Sequence, residues 1–311
     1  MTMSYSAYVG IDVSKQQLDV ALPQGKMLAV PRQRESYAKL LAALPAAGSC
    51  QVIVDATGGY EREVLAELLD AGHHVAVVNP RQVRDYARGL GILAKTDKID
   101  ARVLAKFGEQ VEPRCLFATA EGLSELQQLV DRRRQLVELR TAESNRLEQT
   151  TSKLARKSID KIVRELNKQI DRIELEIERL IEANDDWKQK VDLLVSVPGV
   201  GPITAVALLA DLPELGQIGR NQVASLVGLA PFNHDSGKLR GQRAIWGGRG
   251  AVRTALYMAT LAARRCNPVI HQFAQRLQDK GKKAKVIITA CMRKLLVILN
   301  TMVRKNTPWH A

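Results

Sequence analysis

Two apolar runs in the N-terminal part of the chain each stop on an aspartate. Ala7-Tyr8-Val9-Gly10-Ile11 ends at Asp12 and Gln51-Val52-Ile53-Val54 ends at Asp55, so both acids read as residues at strand tips. Asp97 and Asp100 stand in Lys95-Thr96-Asp97-Lys98-Ile99-Asp100-Ala101, where a spacing of three places them on one face of a helical turn. If the fold gathers all four, each close pair repels by about 4 kcal/mol at roughly 4 Å and an effective dielectric of about 20. Such a cluster requires a cation. Mg²⁺ suits it, because it takes oxygen ligands and bridges them to phosphates, and a metal-bound phosphate site cuts or joins nucleic acid. The alternative for the helical pair is structural, with Asp97 as an N-cap and Asp100 in the first turn. That alternative leaves Asp12 and Asp55 unexplained.

The first 115 or so residues alternate strand and helix signals. Strands are expected at Tyr8 to Val13, Leu18 to Leu22 and Lys26 to Val30, then a helix at Tyr37 to Leu44 and a strand at Val52 to Asp55. A helix at Glu61 to Ala71 stops at Gly72, and a strand at His74 to Asn79 is closed by Pro80. Three strands in sequence followed by strand and helix in alternation is the order of a ribonuclease H core. In Asp55-Ala56-Thr57-Gly58-Gly59-Tyr60-Glu61 the glycines make a turn and Thr57 could cap the next helix. Glu61 is a reserve candidate for the second metal ligand.

From about Leu123 the pattern turns to long polar helices. Ile159, Ile162, Val163, Leu166, Ile170, Ile173, Ile177, Leu180 and Ile181 recur at steps of three and four, the pattern of a helical hairpin or coiled coil, ended by Asn184-Asp185-Asp186. Its stripe must be covered by the other arm or by another subunit, which implies a homo-oligomer, at least a dimer. Next, Ser196-Val197-Pro198-Gly199-Val200-Gly201-Pro202 before a helix from Ile203 to Leu212 resembles a helix-hairpin-helix turn, which presents amides to a phosphate. The same turn could equally join two packed helices. A loop from His234 to Gly250 follows, then helices at Val252 to Arg265 and Lys282 to Arg304.

The net charge of +13 is concentrated at one end. From Ser236 to Ala311 there are 16 Lys or Arg and one acid, Asp279, against 30 basic and 32 acidic residues before it. A single-sign block of this kind is the footprint of a polyanion; the alternative is a solvated basic surface. Within it Lys238, Arg240, Arg243, Arg249, Arg253, Lys282, Lys283 and Lys285 are the candidate nucleic-acid contacts. Ser236-Gly237 is by type a turn. Its neighbours Lys238, Arg240, Arg243 and Arg249 raise its standing, since guanidinium groups clamp a phosphodiester and offset charge in its transition state. A serine hydroxyl needs a base or a metal to attack, and His234 or Asp235 could serve. His73, His74, His271 and His310 show no ligand or triad pattern. Aromatic residues, 4% of the chain, argue against heavy use of base-stacking platforms.

The four cysteines, Cys50, Cys115, Cys266 and Cys291, are spaced for neither zinc nor a disulfide framework. The longest apolar stretch, Val286 to Val303, is interrupted by Arg293 and Lys294, so no membrane span is expected. The N-terminus has neither the basic flank nor the apolar segment of a signal peptide, and the expected location is cytoplasmic.

Taken together, Gly10-Ile11-Asp12-Val13-Ser14-Lys15, Asp55-Ala56-Thr57-Gly58, Asn79-Pro80, Lys95-Thr96-Asp97-Lys98-Ile99-Asp100-Ala101, Pro198-Gly199-Val200-Gly201 and Ser236-Gly237 resemble the DEDD-type insertion-sequence transposases, RuvC-like recombinases guided by a bridge RNA. The resemblance runs nearly end to end. It implies an α/β plus α architecture: a RuvC-like, ribonuclease-H-like mixed-sheet domain over residues 1–118, a coiled-coil or helical-hairpin linker over 119–189, and a mainly helical transposase domain with a serine loop over 190–311. The family's acidic positions fall on Asp12, Asp55, Asp97 and Asp100, which would bind Mg²⁺, and its catalytic serine falls on Ser236, which becomes joined to a DNA end. The implied partners are DNA, as element ends and target, and a bridge RNA. One departure stands out: the second acidic position is usually Glu, and here it is Asp55, shorter by one methylene. Two other functions fit parts of the pattern, a RuvC-like junction endonuclease that uses metal-activated water and a basic, non-enzymatic DNA-architectural protein.

Overall fold

The computed structural model describes residues 5–116, 122–233, 235–236, 239–241 and 243–310, with side chains described at all of these except 235, 236, 239 and 240. The chain divides into two compact units, Met1–Ala118 and Thr119–Ala311.

In the first unit, strands β1 (Ala7–Val13), β2 (Gln17–Ala21) and β3 (Met27–Pro31) form an antiparallel meander, and helix α1 (Arg34–Ala43) follows. Strand β4 (Cys50–Asp55), helix α2 (Arg62–Asp70) and strand β5 (His74–Val78) then add two parallel strands beyond β1, giving the sheet order β3-β2-β1-β4-β5. This five-stranded mixed sheet is compatible with a ribonuclease-H-like fold. Alternation along β1 separates its faces. Val9, Ile11 and Val13 share a buried core with Tyr37 and Leu40 of α1 and Val64 and Leu68 of α2. On the other face Tyr8 and Ile53 pack with Val103, Leu104 and Phe107 of helix α4 (Asp97–Val111) and with Val83 and Ala87 of helix α3 (Pro80–Gly89).

Helix α3 was not legible as a helix, because Pro80 reads as a strand stop. It is instead the first helical residue, where proline's missing N–H is harmless, and the Asn79 side chain caps it by accepting from Arg81 N at 2.9 Å.

The second unit opens with α5 (Leu123–Gln149) and α6 (Lys153–Glu182), an antiparallel hairpin crossed by Arg133 with Glu174 at 2.6 Å and by Arg140 with Asn167 at 3.3 Å. At its base Leu123, Leu126, Val130, Ile177 and Ile181 join one core with α7 (Asp185–Val195), α8 (Pro202–Asp211), α9 (Arg220–Val227), α10 (Gly250–Cys266), α11 (Pro268–Asp279) and α12 (Ala284–Lys305). Toward its tip the hairpin has no buried residue between Leu136 and Ile170 among the described residues. Asn184, expected to end the helical region, also starts the next helix by accepting from Trp187 N at 3.1 Å.

In the turn between α7 and α8, Gly199 has φ +97° and lies so close to α10 that a Cβ would sit 2.5 Å from Ala263 Cα. One side of that turn therefore packs, while Gly201 at the start of α8 is open. Among the described residues α12 alone is long and apolar enough to cross a membrane, yet its apolar side, including Leu295, Leu296 and Leu299, is core.

Candidate functional site

The carboxylate edge is assembled by strand register and one glycine. In the parallel pair β1 and β4, Ile11 lies beside Val54, so the next residues, Asp12 and Asp55, stand together at the carboxyl ends of neighbouring strands. Gly10, on the same face as Asp12, lets α4 settle directly on β1: a Cβ there would lie 2.0 Å from Ala101 O and 2.5 Å from Ala105 N. With Gly108 at the far end of α4 against Ile53 and Tyr8, the helix runs back along β1, and its first turn brings Asp97 and Asp100 to Asp12. Thr96, rather than Asp97, is the N-cap, with its hydroxyl accepting from Ile99 N at 3.3 Å. The capping alternative for Asp97 therefore does not hold.

Electrostatics report the gathering. Asp12 is pushed up to about 7, first by burial and then by the charges of Asp55, Asp100, Asp97 and Asp19. Asp55 is pushed up to about 6 by burial, with Glu61 and Asp100 adding to the rise and its own backbone N–H and Lys95 opposing it. Asp100 is raised by burial, against Lys95 and Arg84, with Asp97 adding to the rise. Arg84 also donates to Leu93 O at 2.6 Å and Ala94 O at 3.2 Å, fixing the loop that leads into α4.

Glu61 has a different task. Its Oε2 accepts from Thr57 N at 3.1 Å, Thr57 Oγ1 at 2.7 Å and Gly59 N at 2.8 Å. Burial pushes its carboxyl up, but these bonds outweigh burial and hold it below the usual glutamate range. Thr57 thus serves the turn and does not cap α2. Asp55, in contrast, keeps Oδ1 buried with no hydrogen-bond partner. An all-oxygen donor set with one orphaned carboxylate oxygen fits a hard divalent cation. Among the described residues no group of three or more Asp, Glu, His or Cys side chains is placed to hold a metal ion as it stands.

Sequence reading missed a fifth acid at this edge. Asp19 is 3% exposed, faces Asp12 across the β1 and β2 pair, and accepts from Gln17 Nε2 at 2.8 Å. The hairpin arithmetic would have found it, since Val13 pairs with Leu18 across a short turn.

Ser236 belongs to the second unit. It lies in β7 (Asp235–Ser236), which pairs with β8 (Leu239–Arg240), immediately before the two residues that link them. This pair is carried on a ribbon made of β6 (Pro231–Phe232) and β9 (Ala244–Ile245). His234, Gly237 and Lys238 lie outside the described residues, as do the side chains of Asp235, Ser236 and Arg240.

The foot of this arm is tightly fastened. A Cβ on Gly248, at φ +71°, would sit 2.3 Å from Gly228 N, and one on Gly228, at φ +77°, would sit 2.2 Å from Gly247 O. Arg249 forks onto Glu214 at 2.5 and 2.6 Å and donates to Asp211 O at 2.9 Å, while Glu214 is 6% exposed. Arg253 donates to Val227 O at 2.8 Å and to Gly247 O. Both arginines, expected to meet nucleic acid, thus engage protein acceptors. Arg243, Lys282, Lys283 and Lys285 are exposed. Glu214, the partner of Arg249, left no sequence signal because the pair is 35 residues apart.

Comparison with known proteins gives a consistent result. A DEDD transposase model of the IS110 type matches residues 9–154, and a model described as the transposase IS116/IS110/IS902 family matches residues 191–275. The chain is 29% identical to the pilin gene-inverting protein of Moraxella bovis, with 97% of each chain covered. It is 23% identical to a probable family 20 transposase of Pseudomonas aeruginosa, over 96% of this chain and 97% of that one. It is 24% identical to the transposase for insertion sequence element IS1111A of Coxiella burnetii, over 74% of this chain and 70% of that one. Matched by both transposase models and by relatives that are transposases or a gene-inverting protein, the protein is a DNA transposase or recombinase.

Proposed function

We propose that the protein excises and inserts its own insertion sequence by strand exchange through a covalent serine and DNA intermediate, with a guide RNA choosing the sites. The observation that carries the catalytic half is the meeting of Asp12, Asp55 and Asp100 at one sheet edge, where burial raises all three carboxyls and neighbouring acids add to the rise. Asp12, Asp55, Asp97 and Asp100 would hold Mg²⁺, which supplies positive charge to a phosphodiester oxygen when bound. Asp55 fits as the second ligand because Glu61 is already engaged by its turn.

Ser236 Oγ forms the new bond to phosphorus, the bond from phosphorus to the leaving DNA oxygen breaks, and the hydroxyl proton passes to that oxygen through a neighbouring base. One phosphodiester replaces another, so the bond energy is kept for rejoining. Exposed Arg243 and the lysines at 282, 283 and 285 suit the DNA backbone. Strand exchange of this kind would serve both gene inversion and transposition, the two activities that the relatives' names carry. The apolar residues toward the tip of the α5 and α6 hairpin, with Leu139 51% and Leu154 80% exposed, support at least a dimer.

The test is recombination of a plasmid carrying the flanking element DNA, with protein and transcribed flanking RNA. Ser236→Ala should abolish both the protein and DNA adduct and the recombinant. A junction endonuclease using only the aspartates would keep cutting in Ser236→Ala, and that result would replace the present reading.

A further inference from the structure

The ribbon that carries Ser236 shows solvent the side chains that a purely structural ribbon would hide. Phe232 is 45%, Ile245 38% and Trp246 56% exposed, although the strands pair over only two residues. A ribbon that short is marginal alone, and exposed apolar side chains do nothing to hold it. Across the ladder Phe232 faces Ala244. Trp246 directly follows the last residue of that ladder, Ile245. Two of the chain's few aromatic residues are therefore both exposed on a short ribbon whose foot is fixed by the contact of Gly228 with Gly248 and by the fork of Arg249 on Glu214. A rigid foot means that the pair is presented in one orientation without prior ordering.

Charge selects the occupant. Residues 236–311 carry 16 Lys or Arg and one acid, so a second copy meeting this segment across a twofold would set like charge against like. A polyanion is attracted instead. Among polyanions, one with flat apolar faces uses both features: unpaired bases stack on the rings while exposed Arg243 meets phosphate.

We infer that Phe232 and Trp246 form a stacking surface for unpaired DNA bases flanking the phosphodiester that Ser236 attacks. This rests on the strand-exchange reading and adds to it the residues that hold the opened strand in place. A few aromatics at the arm are compatible with a chain that elsewhere uses little stacking.

Titration of the full-length protein with a 12-nucleotide single-stranded DNA, followed by tryptophan emission, decides the matter. Trp187 is 5% exposed and Trp309 is packed against the core, which leaves Trp246 as the responsive ring. The expected result is quenching in wild type that Trp246→Phe largely removes while keeping affinity within about threefold, since phenylalanine still stacks. Trp246→Ala and Phe232→Ala should each weaken binding about 5-fold or more, with melting temperature unchanged and the slope against salt unchanged, because no phosphate contact is lost.

Wild-type affinity in both alanine variants overturns the inference. So does a loss accompanied by a shallower salt slope, a loss confined to duplex DNA or to RNA of the same sequence, or a smaller assembly with intact DNA affinity. Wild-type protein that fails to bind DNA at all would instead sink the strand-exchange reading itself, so the two failures are distinguishable.

Discussion

The carboxylate edge and the serine arm are both precise, but they are made so in different ways. At the edge, Asp12 and Asp55 stand at the carboxyl ends of paired parallel strands, so the sheet's own hydrogen bonds set their spacing, and α4 is seated by Gly10 on the same strand as Asp12. In the arm the local pairing is two residues deep at each level, and orientation comes from the foot, where the ends of α8 and α9 and the start of α10 are tied by Arg249 and Arg253. A sheet edge is stiff along its whole length. An arm is only as fixed as its base. Damage to the edge should therefore affect metal binding and leave the arm intact, and damage to the foot should do the reverse.

The sharpest way to break this comparison is a pair of glycine substitutions. Gly10→Val places side-chain atoms into the backbone of α4, where even a Cβ would be 2.0 Å from Ala101 O. The helix must lift, at a cost of about 3 kcal/mol or more, and strand cleavage should fall at least 100-fold while DNA binding survives. Gly248→Val, at φ +71° and against Gly228 N, should leave Mg²⁺ binding at the wild-type level and abolish the protein and DNA adduct. Calorimetric metal titration separates the two: Gly10→Val should lose Mg²⁺ binding and the adduct with it, whereas Gly248→Val should lose the adduct alone, so Mg²⁺ binding retained in the first or lost in the second would refute the division. Next in size is Glu214→Ala. Breaking a buried pair costs about 3–5 kcal/mol; with Arg249 30% exposed, about 2–3 kcal/mol is expected after allowing for solvent screening. Thermal unfolding checks it, and Arg249→Ala should add little on top of it.

The same contrast explains what was legible in the sequence. The five strands of the first unit follow from short apolar runs, two of which stop on an aspartate, a signal contained within a few residues. Glu61 and Asp55 could not be separated that way. Their roles depend on which carboxylate the turn's N–H groups reach, and that is decided by backbone direction at Thr57 and Gly59. Helix α3 was hidden because Pro80 ends a strand and starts a helix equally well. The arginines at 249 and 253 look like any others in a basic block until the fold places Glu214 and two carbonyls beside them. Local patterns carried the edge, whereas long-range pairing carried the foot.

The acids also give the edge a pH signature. Asp12 and Asp55 titrate at about 7 and about 6 in the folded chain, above the ordinary aspartate value of 3.8. A raised folded value means that the folded state binds protons more tightly than the unfolded one, so their contribution is fully present below about 3.8 and is lost as pH rises through 6 to 7. Metal-free protein should therefore show its N-terminal unit melting several degrees lower at pH 8 than at pH 5.5, with Mg²⁺ restoring the difference. Asp12→Asn should flatten most of the dependence and raise the metal-free melting point at pH 8. An unchanged profile in Asp12→Asn would mean that the acids do not interact as placed.

The finest probe is the cap of α4, compared with the cap of α3. Thr96 and Asn79 each accept one backbone N–H at a helix start, from Ile99 and Arg81. Losing either cap costs about 1 kcal/mol. Their positions differ in consequence. Thr96 directly precedes the turn that bears Asp97 and Asp100, so fraying in Thr96→Ala moves two of the four acids. Asn79 starts a helix that reaches the site only through Arg84 and the loop it holds. Thr96→Ala should weaken Mg²⁺ binding several-fold and Asn79→Ala hardly at all, at matched losses of stability. Equal metal affinities in the two variants would show that the first turn of α4 does not set the ligand positions, and the sheet tips alone would then define the edge.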